Sequence, residues 1–400
     1  MASIVYAERV TGLAARLADR TLELVDISSE SLREAEIREH LLDRVPPSLD
    51  ADYAEDEAFF FVPKQRRDAP LVVLAGHYDT VPAQDNLPGR IADGSVHGLG
   101  ASDMKGGLAV AVELVRDLTE EPPGPYDVAL LLFGREELPT EHNPLPALFA
   151  KSSAIHDTAL AIVLEPTDGR IHAGCLGNVV YKLTFHGTSG HSARPWLADN
   201  AITHALQGLA PLPALERREA VVEGLSFYEV VTLTRLEAGI ADNVIPDRAS
   251  AVLNLRYPPD RTPAEAEAYV ESLTPAGASL EILSNAPPAR VVMRSPIVEA
   301  LRSAGGLDVE PKQAWTNVAD FSANGIDAVN FGPGHTAYAH RRDERVEISA
   351  LVHAYETLRR FLVNIGATED DGMRSVRSRA KRGRINGGET LRGSMGEDAR

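Results

Sequence analysis

Val128-Ala-Leu-Leu-Leu-Phe133-Gly-Arg-Glu136-Glu137 is six apolar residues running almost directly into two adjacent carboxylates. So short an apolar run reads as a strand buried on both faces, the habit of a parallel sheet covered by helices. The pair at its end matters because ligands of such sheets collect at the carboxyl ends of the strands. Residues 160–164 repeat the design and end on Glu165, and residues 71–75 lead into Gly76-His77-Tyr-Asp79. Around these strands, apolar positions at helical spacing (Val10, Leu13, Ala14, Leu17, Leu22, Val25) predict a helix within residues 4–27, and residues 106–118 predict another. Residues 59–63 read as a strand. The same core resumes late, with a helix over 296–303, a strand over 328–331 and a closing helix over 348–363. The expected class is α/β, with a mostly parallel central sheet flanked by helices.

Residues 177–288 follow a different rule. Stretches 179–185, 229–236 and 248–257 alternate apolar and polar residues, with helical stretches near 199–213 and 262–274 between them. A period of two marks strands with one buried face, so two helices on a one-sided antiparallel sheet are expected. The expected organisation is a discontinuous domain, residues 1–176 and 289–366, with an α+β domain inserted at 177–288. Residues 367–400 show no hydrophobic period and are expected to form a disordered tail; residues 374–384 hold six basic and no acidic side chains.

A formal charge of −18 over 400 residues argues against nucleic acid and anionic membranes as partners. No apolar run approaches the roughly 18–20 residues of a membrane span. No basic segment followed by an apolar core opens the chain, so no signal peptide is expected. The single cysteine, Cys175, excludes an intramolecular disulfide. A cytoplasmic setting is the expectation.

Five polar clusters carry the chemistry, and each has a plain structural alternative. In His77-x-Asp79, imidazole is a good metal ligand and a neighbouring carboxylate can take its second N–H, though a polar turn after a strand looks the same. Asp103 lies between Gly98-Leu-Gly100 and Gly106-Gly107. It reads equally as a helix N-cap or as a carboxylate bridging two cations. In Glu136-Glu137, neighbours on an extended strand end point to opposite sides, so one can ligate a metal while the other handles protons; a solvated turn is the alternative. Glu165 reads as a ligand or a surface turn. His340 follows the Gly332-Pro333-Gly334 turn and competes with His335 and His97 for any ligand role. The joint, ordered occurrence of these clusters is the strong signal.

Taken together, Gly-His77-Tyr-Asp79-Thr-Val-Pro, Ser-Asp103-Met-Lys-Gly-Gly, Glu136-Glu137, Glu165-Pro and Ala-His340-Arg-Arg-Asp-Glu344 resemble the M20 family of dinuclear zinc amidohydrolases and peptidases over residues 5–365. Asn86-Leu-Pro88, His191-Ser-Ala-Arg194-Pro-Trp196, Trp315-Thr316-Asn-Val-Ala and Val329-Asn-Phe-Gly-Pro-Gly334 look most like its actinobacterial-type succinyl-diaminopimelate desuccinylases. The resemblance implies one Zn²⁺ on His77, Asp103 and Glu165 and a second on Asp103, Glu137 and His340, with Co²⁺ or Mn²⁺ as substitutes. It implies Asp79 as the group orienting His77 and Glu136 as general base in amide hydrolysis by metal-activated water. It further implies a homodimer through residues 177–288, with His191 reaching the partner's site, and Asn243, Arg256, Arg194 and Thr316 near the substrate. That substrate is expected to be a small N-acylated amino acid, N-succinyl-LL-2,6-diaminopimelate above all. The loops around 175–182 and His335-Thr336 depart from better-known desuccinylases, so an acetylornithine deacetylase-like enzyme, a carboxypeptidase or a dipeptidase is the alternative.

Overall fold

The computed structural model describes residues 2–363; the tail expected at 367–400 lies outside them. Eight strands form the main sheet in the order Leu49–Glu55, Ala58–Pro63, Asp127–Phe133, Leu71–His77, Thr158–Val163, Ala328–Asn330, Ile171–Cys175, Val309–Lys312. The four strands from Asp127–Phe133 to Ala328–Asn330 run parallel. The Leu71–His77 strand is buried at every position, which is why it carries no polar alternation. One face is covered by helices Ala2–Asp26, Gly106–Leu118, Pro296–Gly305 and Ile348–Val363. The other is covered by helices Leu145–Lys151 and Val318–Ala323. Gly107 lets the Gly106–Leu118 helix begin hard against the strand end that bears Glu165: a Cβ there would lie 2.3 Å from the Leu164 carbonyl oxygen. The mostly parallel, helix-covered α/β architecture expected from the apolar runs is the one observed.

Residues 177–286 supply a separate five-stranded antiparallel sheet, ordered Arg218–Val222, Leu225–Ala238, Arg248–Tyr257, Gly177–His186, Ala278–Ala286. Along Gly177–His186 buried positions alternate strictly with half-buried ones, ending on the exposed His186. The inward residues Val179, Tyr181, Leu183 and Phe185 pack with Ala201, Ala205, Ala266 and Val270 of two helices, Ala201–Leu209 and Pro263–Ser272. The helix expected over 199–213 is shorter. It stops at Leu209, and Pro211 and Pro213 leave only a 3₁₀ turn at Leu212–Ala214. A small cluster of Ala173, Leu176, Phe227 and Val291 joins the two sheets. No helix among the described residues is long and apolar enough to cross a membrane.

Candidate metal centre

His77 ends the Leu71–His77 strand, and Glu136 and Glu137 follow the neighbouring Asp127–Phe133 strand. Glu165 follows Thr158–Val163 on the other side. Asp103 arrives from the loop before the Gly106–Leu118 helix, and His340 from the loop before the Arg345–Glu347 strand. The structure brings five of these side chains into one cradle. His77 Nε2 lies 3.2 Å from Asp103 Oδ1 and 3.7 Å from Glu165 Oε1. His340 Nε2 lies 2.9 Å from Glu137 Oε1 and 3.5 Å from Asp103 Oδ2. Asp103 thus faces both histidines with one oxygen each. Donor atoms of His77, Asp103 and Glu137 all fall within 4.8 Å of one another. Neither His335 nor His97 joins the cradle: His335 Nδ1 accepts from the Ala337 N–H, and His97 sits on the Ser95–His97 strand.

Long-range hydrogen bonds hold these groups. The His77 Nδ1–H donates to the Asp79 carbonyl at 3.1 Å, with the Asp79 carboxylate 3.4 Å away. That carboxylate in turn accepts the N–H groups of Glu136 (3.0 Å) and Glu137 (3.2 Å) and the Ser31 hydroxyl (2.7 Å). One buried aspartate therefore fixes both the histidine and the glutamate pair. The pair itself is not on an extended strand end, as its position after an apolar run suggests. Arg135 takes φ +63° and turns the chain just before it, and His340 takes φ +60°. Left-handed backbone at a non-glycine residue costs about 1–3 kcal/mol and persists where the surroundings over-determine it.

Asp103 is not an N-cap. It lies in an irregular turn, Ala101–Lys105, with φ −123° and ψ 94°, and Lys105 occupies the cap position of the following helix with no side-chain cap bond. The loop's own N–H groups are taken by Glu344 instead: its carboxylate accepts from Gly100, Ser102 and Asp103, each at 3.0 Å. Glu344 and Ser31 are supports whose function the sequence reading did not anticipate. Lys312 also comes near the cradle without a hydrogen bond to it, its Nζ lying 3.6 Å from Glu165 Oε2.

The electrostatics of the cradle call for a cation. With Nδ1–H donating to a carbonyl, the neutral His77 ring turns an Nε2 lone pair towards two carboxylates, an arrangement that positive charge must stabilise. Burial alone would lower His77, but Asp103 and Asp79 hold it well above the usual imidazole value. Asp103 and Glu137 push His340 up to about 11. Burial, together with Glu165, Glu137 and Asp103 nearby, raises the Glu136 carboxyl well above the carboxylate range. Burial and Asp103 raise Glu165. Buried carboxylates this close are tolerated when they coordinate metal. Two imidazoles and three carboxylates are also the mixed N/O donor set that suits a zinc-like ion. The residues fit.

The remaining sequence-predicted residues gather elsewhere. His191 ends a two-residue strand paired with Val244–Ile245, and the Ser192 N–H donates to the Asn243 carbonyl at 3.0 Å. His191, Arg194 and Asn243 are all exposed there, and no hydrogen bond or ion pair among the described residues ties them to the cradle. Arg256 is partly buried on Arg248–Tyr257, where burial draws its guanidinium below the usual value. Thr316 is buried, its hydroxyl donating to Asn330 Oδ1 at 2.9 Å.

A mostly parallel α/β sheet carrying this cluster at its strand ends defines a class, and comparison with known proteins agrees. The sequence profile of Peptidase family M20/M25/M40 matches residues 73–364. A Mycobacterium tuberculosis protein named "Putative succinyl-diaminopimelate desuccinylase" is 38% identical, with 86% of this chain and 96% of that one aligned. A Corynebacterium glutamicum protein named succinyl-diaminopimelate desuccinylase is 35% identical over 86% of this chain and 95% of that one. Among solved structures, a Bacillus subtilis protein described as a dinuclear metal binding peptidase from the M20 family superposes with a TM-score of 0.62 at 16% identity, covering 89% of this chain and 99% of that one. The chain belongs to the M20/M25/M40 peptidase family. It is a metal-dependent amidohydrolase, and its cradle suits a divalent ion.

Proposed function

We propose that the protein hydrolyses the amide bond of N-succinyl-LL-2,6-diaminopimelate, releasing succinate and the free amine, with two divalent ions, Zn²⁺ or in its place Co²⁺ or Mn²⁺, held in the cradle. The observation that carries this reading is the convergence of His77, Asp103, Glu137, Glu165 and His340 from separate segments onto one spot. The names of the mycobacterial and corynebacterial relatives support the acyl group. The Bacillus subtilis fold neighbour supports a pair of ions. His77, Asp103 and Glu165 would hold one, and Glu137, His340 and the second oxygen of Asp103 the other. Bound there, the ions supply Lewis acidity that acidifies water and polarises an amide carbonyl.

The chain's own side chains do the rest. Asp79 keeps His77 in the Nδ1–H tautomer, so that Nε2 is free to ligate. Glu136, with its N–H pinned by Asp79, takes the proton of the attacking water and returns it to the departing amine. Residues 177–288 act as an inserted lid and dimerisation domain beside a catalytic domain of residues 1–176 and 289–366. Its exposed apolar side chains, among them Trp196, Leu206, Leu236 and Ile240, support a homodimer. Through that dimer His191 reaches the partner's site and steadies the negative charge that develops on the carbonyl oxygen. Asn243, Arg194, Arg256 and Thr316 contact the substrate. The cytoplasm is the proposed setting.

The test is turnover of N-succinyl-LL-2,6-diaminopimelate, N-acetylornithine and simple dipeptides by zinc-loaded protein. The expected outcome is the highest kcat/KM on the first. Preference for either of the others overturns the substrate.

A further inference from the structure

A dicarboxylic acyl chain brings negative charge to a protein of net charge −18 and to a floor already lined with carboxylates. A local cation has to receive it. Lys312 ends the edge strand Val309–Lys312, in register with Cys175. It is buried, only 7% exposed. Lysine is almost never so buried without a partner. Its one anionic neighbour within 4 Å among the described residues is Glu165, at 3.6 Å. That separation is an ion pair beyond hydrogen-bond range, so it saturates none of the ammonium's three donors. Glu165 is itself engaged, its other oxygen lying 3.7 Å from His77. The wall beside Lys312 is fixed: the Cys175 thiol meets the Thr316 carbonyl at 3.8 Å, and Thr316 is tied to Asn330.

Strand order gives Lys312 a side. The strand leading to Glu136 lies on one flank of the His77 and Glu165 strands, and Val309–Lys312 lies on the other. With Glu136 handing its proton to the amine half, the acyl half points towards Lys312. We infer that Lys312 binds the terminal carboxylate of the substrate's acyl group and thereby selects a dicarboxylic acyl chain over a neutral one. The inference rests on the desuccinylase reading and adds a residue to it.

Lys312→Met and Lys312→Arg test it, each assayed on the N-succinyl substrate and on its succinamoyl analogue, in which a carboxamide replaces the acyl carboxylate. Removing a charge-assisted contact should cost Lys312→Met about 30-fold in kcat/KM on the succinyl substrate, chiefly through KM. On the analogue the change should stay within about threefold, which also shows that the variant folds. Lys312→Arg should keep most of the discrimination, and metal content by mass spectrometry should be unchanged in both. Equal losses on the two substrates, or loss of metal, overturn the inference and leave Lys312 as a mere partner of Glu165. Wild-type protein that leaves the succinyl substrate uncut overturns the desuccinylase reading and this inference with it. Wild-type protein that cuts it, beside a Lys312→Met variant of undiminished preference, overturns this inference alone.

Discussion

His77 has no exposed surface, and both its ring nitrogens face fixed partners. His191 lies exposed on a strand of two residues, with Nδ1 accepting only from the nearby Ala193 N–H. The cradle is buried or half-buried except at His340, strained at Arg135 and His340, and tied together by Asp79 and Glu344. The ribbon bearing His191 and Asn243 is held by two short strands. On the proposed mechanism, the difference separates chemistry that must be preorganised from chemistry that must be assembled. Proton transfer and metal ligation need geometry fixed in advance. A group that joins the reaction from a second surface can stay loose until that surface arrives.

The largest effects should fall on the cradle. Chelation should reduce turnover to background, and Zn²⁺ or Co²⁺ should restore it; turnover by protein shown metal-free by mass spectrometry would undo the cradle's place in the reaction. Glu136→Gln should lower kcat by about 10³- to 10⁴-fold while keeping the metal, since what is lost is the proton carrier. A near wild-type rate in that variant removes Glu136 as the base.

The ribbon should give a smaller and differently organised effect. His191→Ala should lower kcat by about 10²-fold with metal content intact, the scale of one lost oxyanion donor. The comparison sharpens when inactive variants are mixed. If His191 serves the partner's site, exchanged dimers of His191→Ala and Glu136→Gln contain one site with both groups intact, and activity returns. Mixtures that stay inactive after subunit exchange place His191 in its own subunit's site, and a His191→Ala variant that is active by itself places it outside the reaction.

The same contrast decided what could be read from sequence. His77, Glu136, Glu137 and Glu165 were legible because each follows an apolar strand within a few residues, and a parallel sheet delivers such positions to one edge. The alternating residues of Gly177–His186 and Arg248–Tyr257 announced their sheet just as directly. Asp103 was legible as important but not in its local conformation. Its glycine-flanked setting imitates a helix cap, whereas a carboxylate 241 residues away takes the loop's N–H groups. Lys312 has no local signature either. Its meaning comes from Glu165, which strand crossing and not sequence proximity brings near.

Glu344 offers the smallest of these effects and the finest test of preorganisation. One of its oxygens accepts from Ser102 and Asp103 and the other from Gly100, so both are used. Glu344→Gln keeps the shape but turns one oxygen into a donor that faces a donor. An unsatisfied buried N–H costs about 1–3 kcal/mol. The strain falls on the loop that aims Asp103 at both histidines, not on the reacting groups. Metal affinity, measured by competition with a chelator, should therefore weaken by about tenfold, the usual scale for a lost support behind a ligand. Turnover at saturating zinc should stay near wild type, because bound metal pulls Asp103 back into place. Unchanged affinity means that the loop holds its own shape and Glu344 merely neutralises its N–H groups. A fall in kcat that zinc does not rescue means that Glu344 acts on the reaction itself.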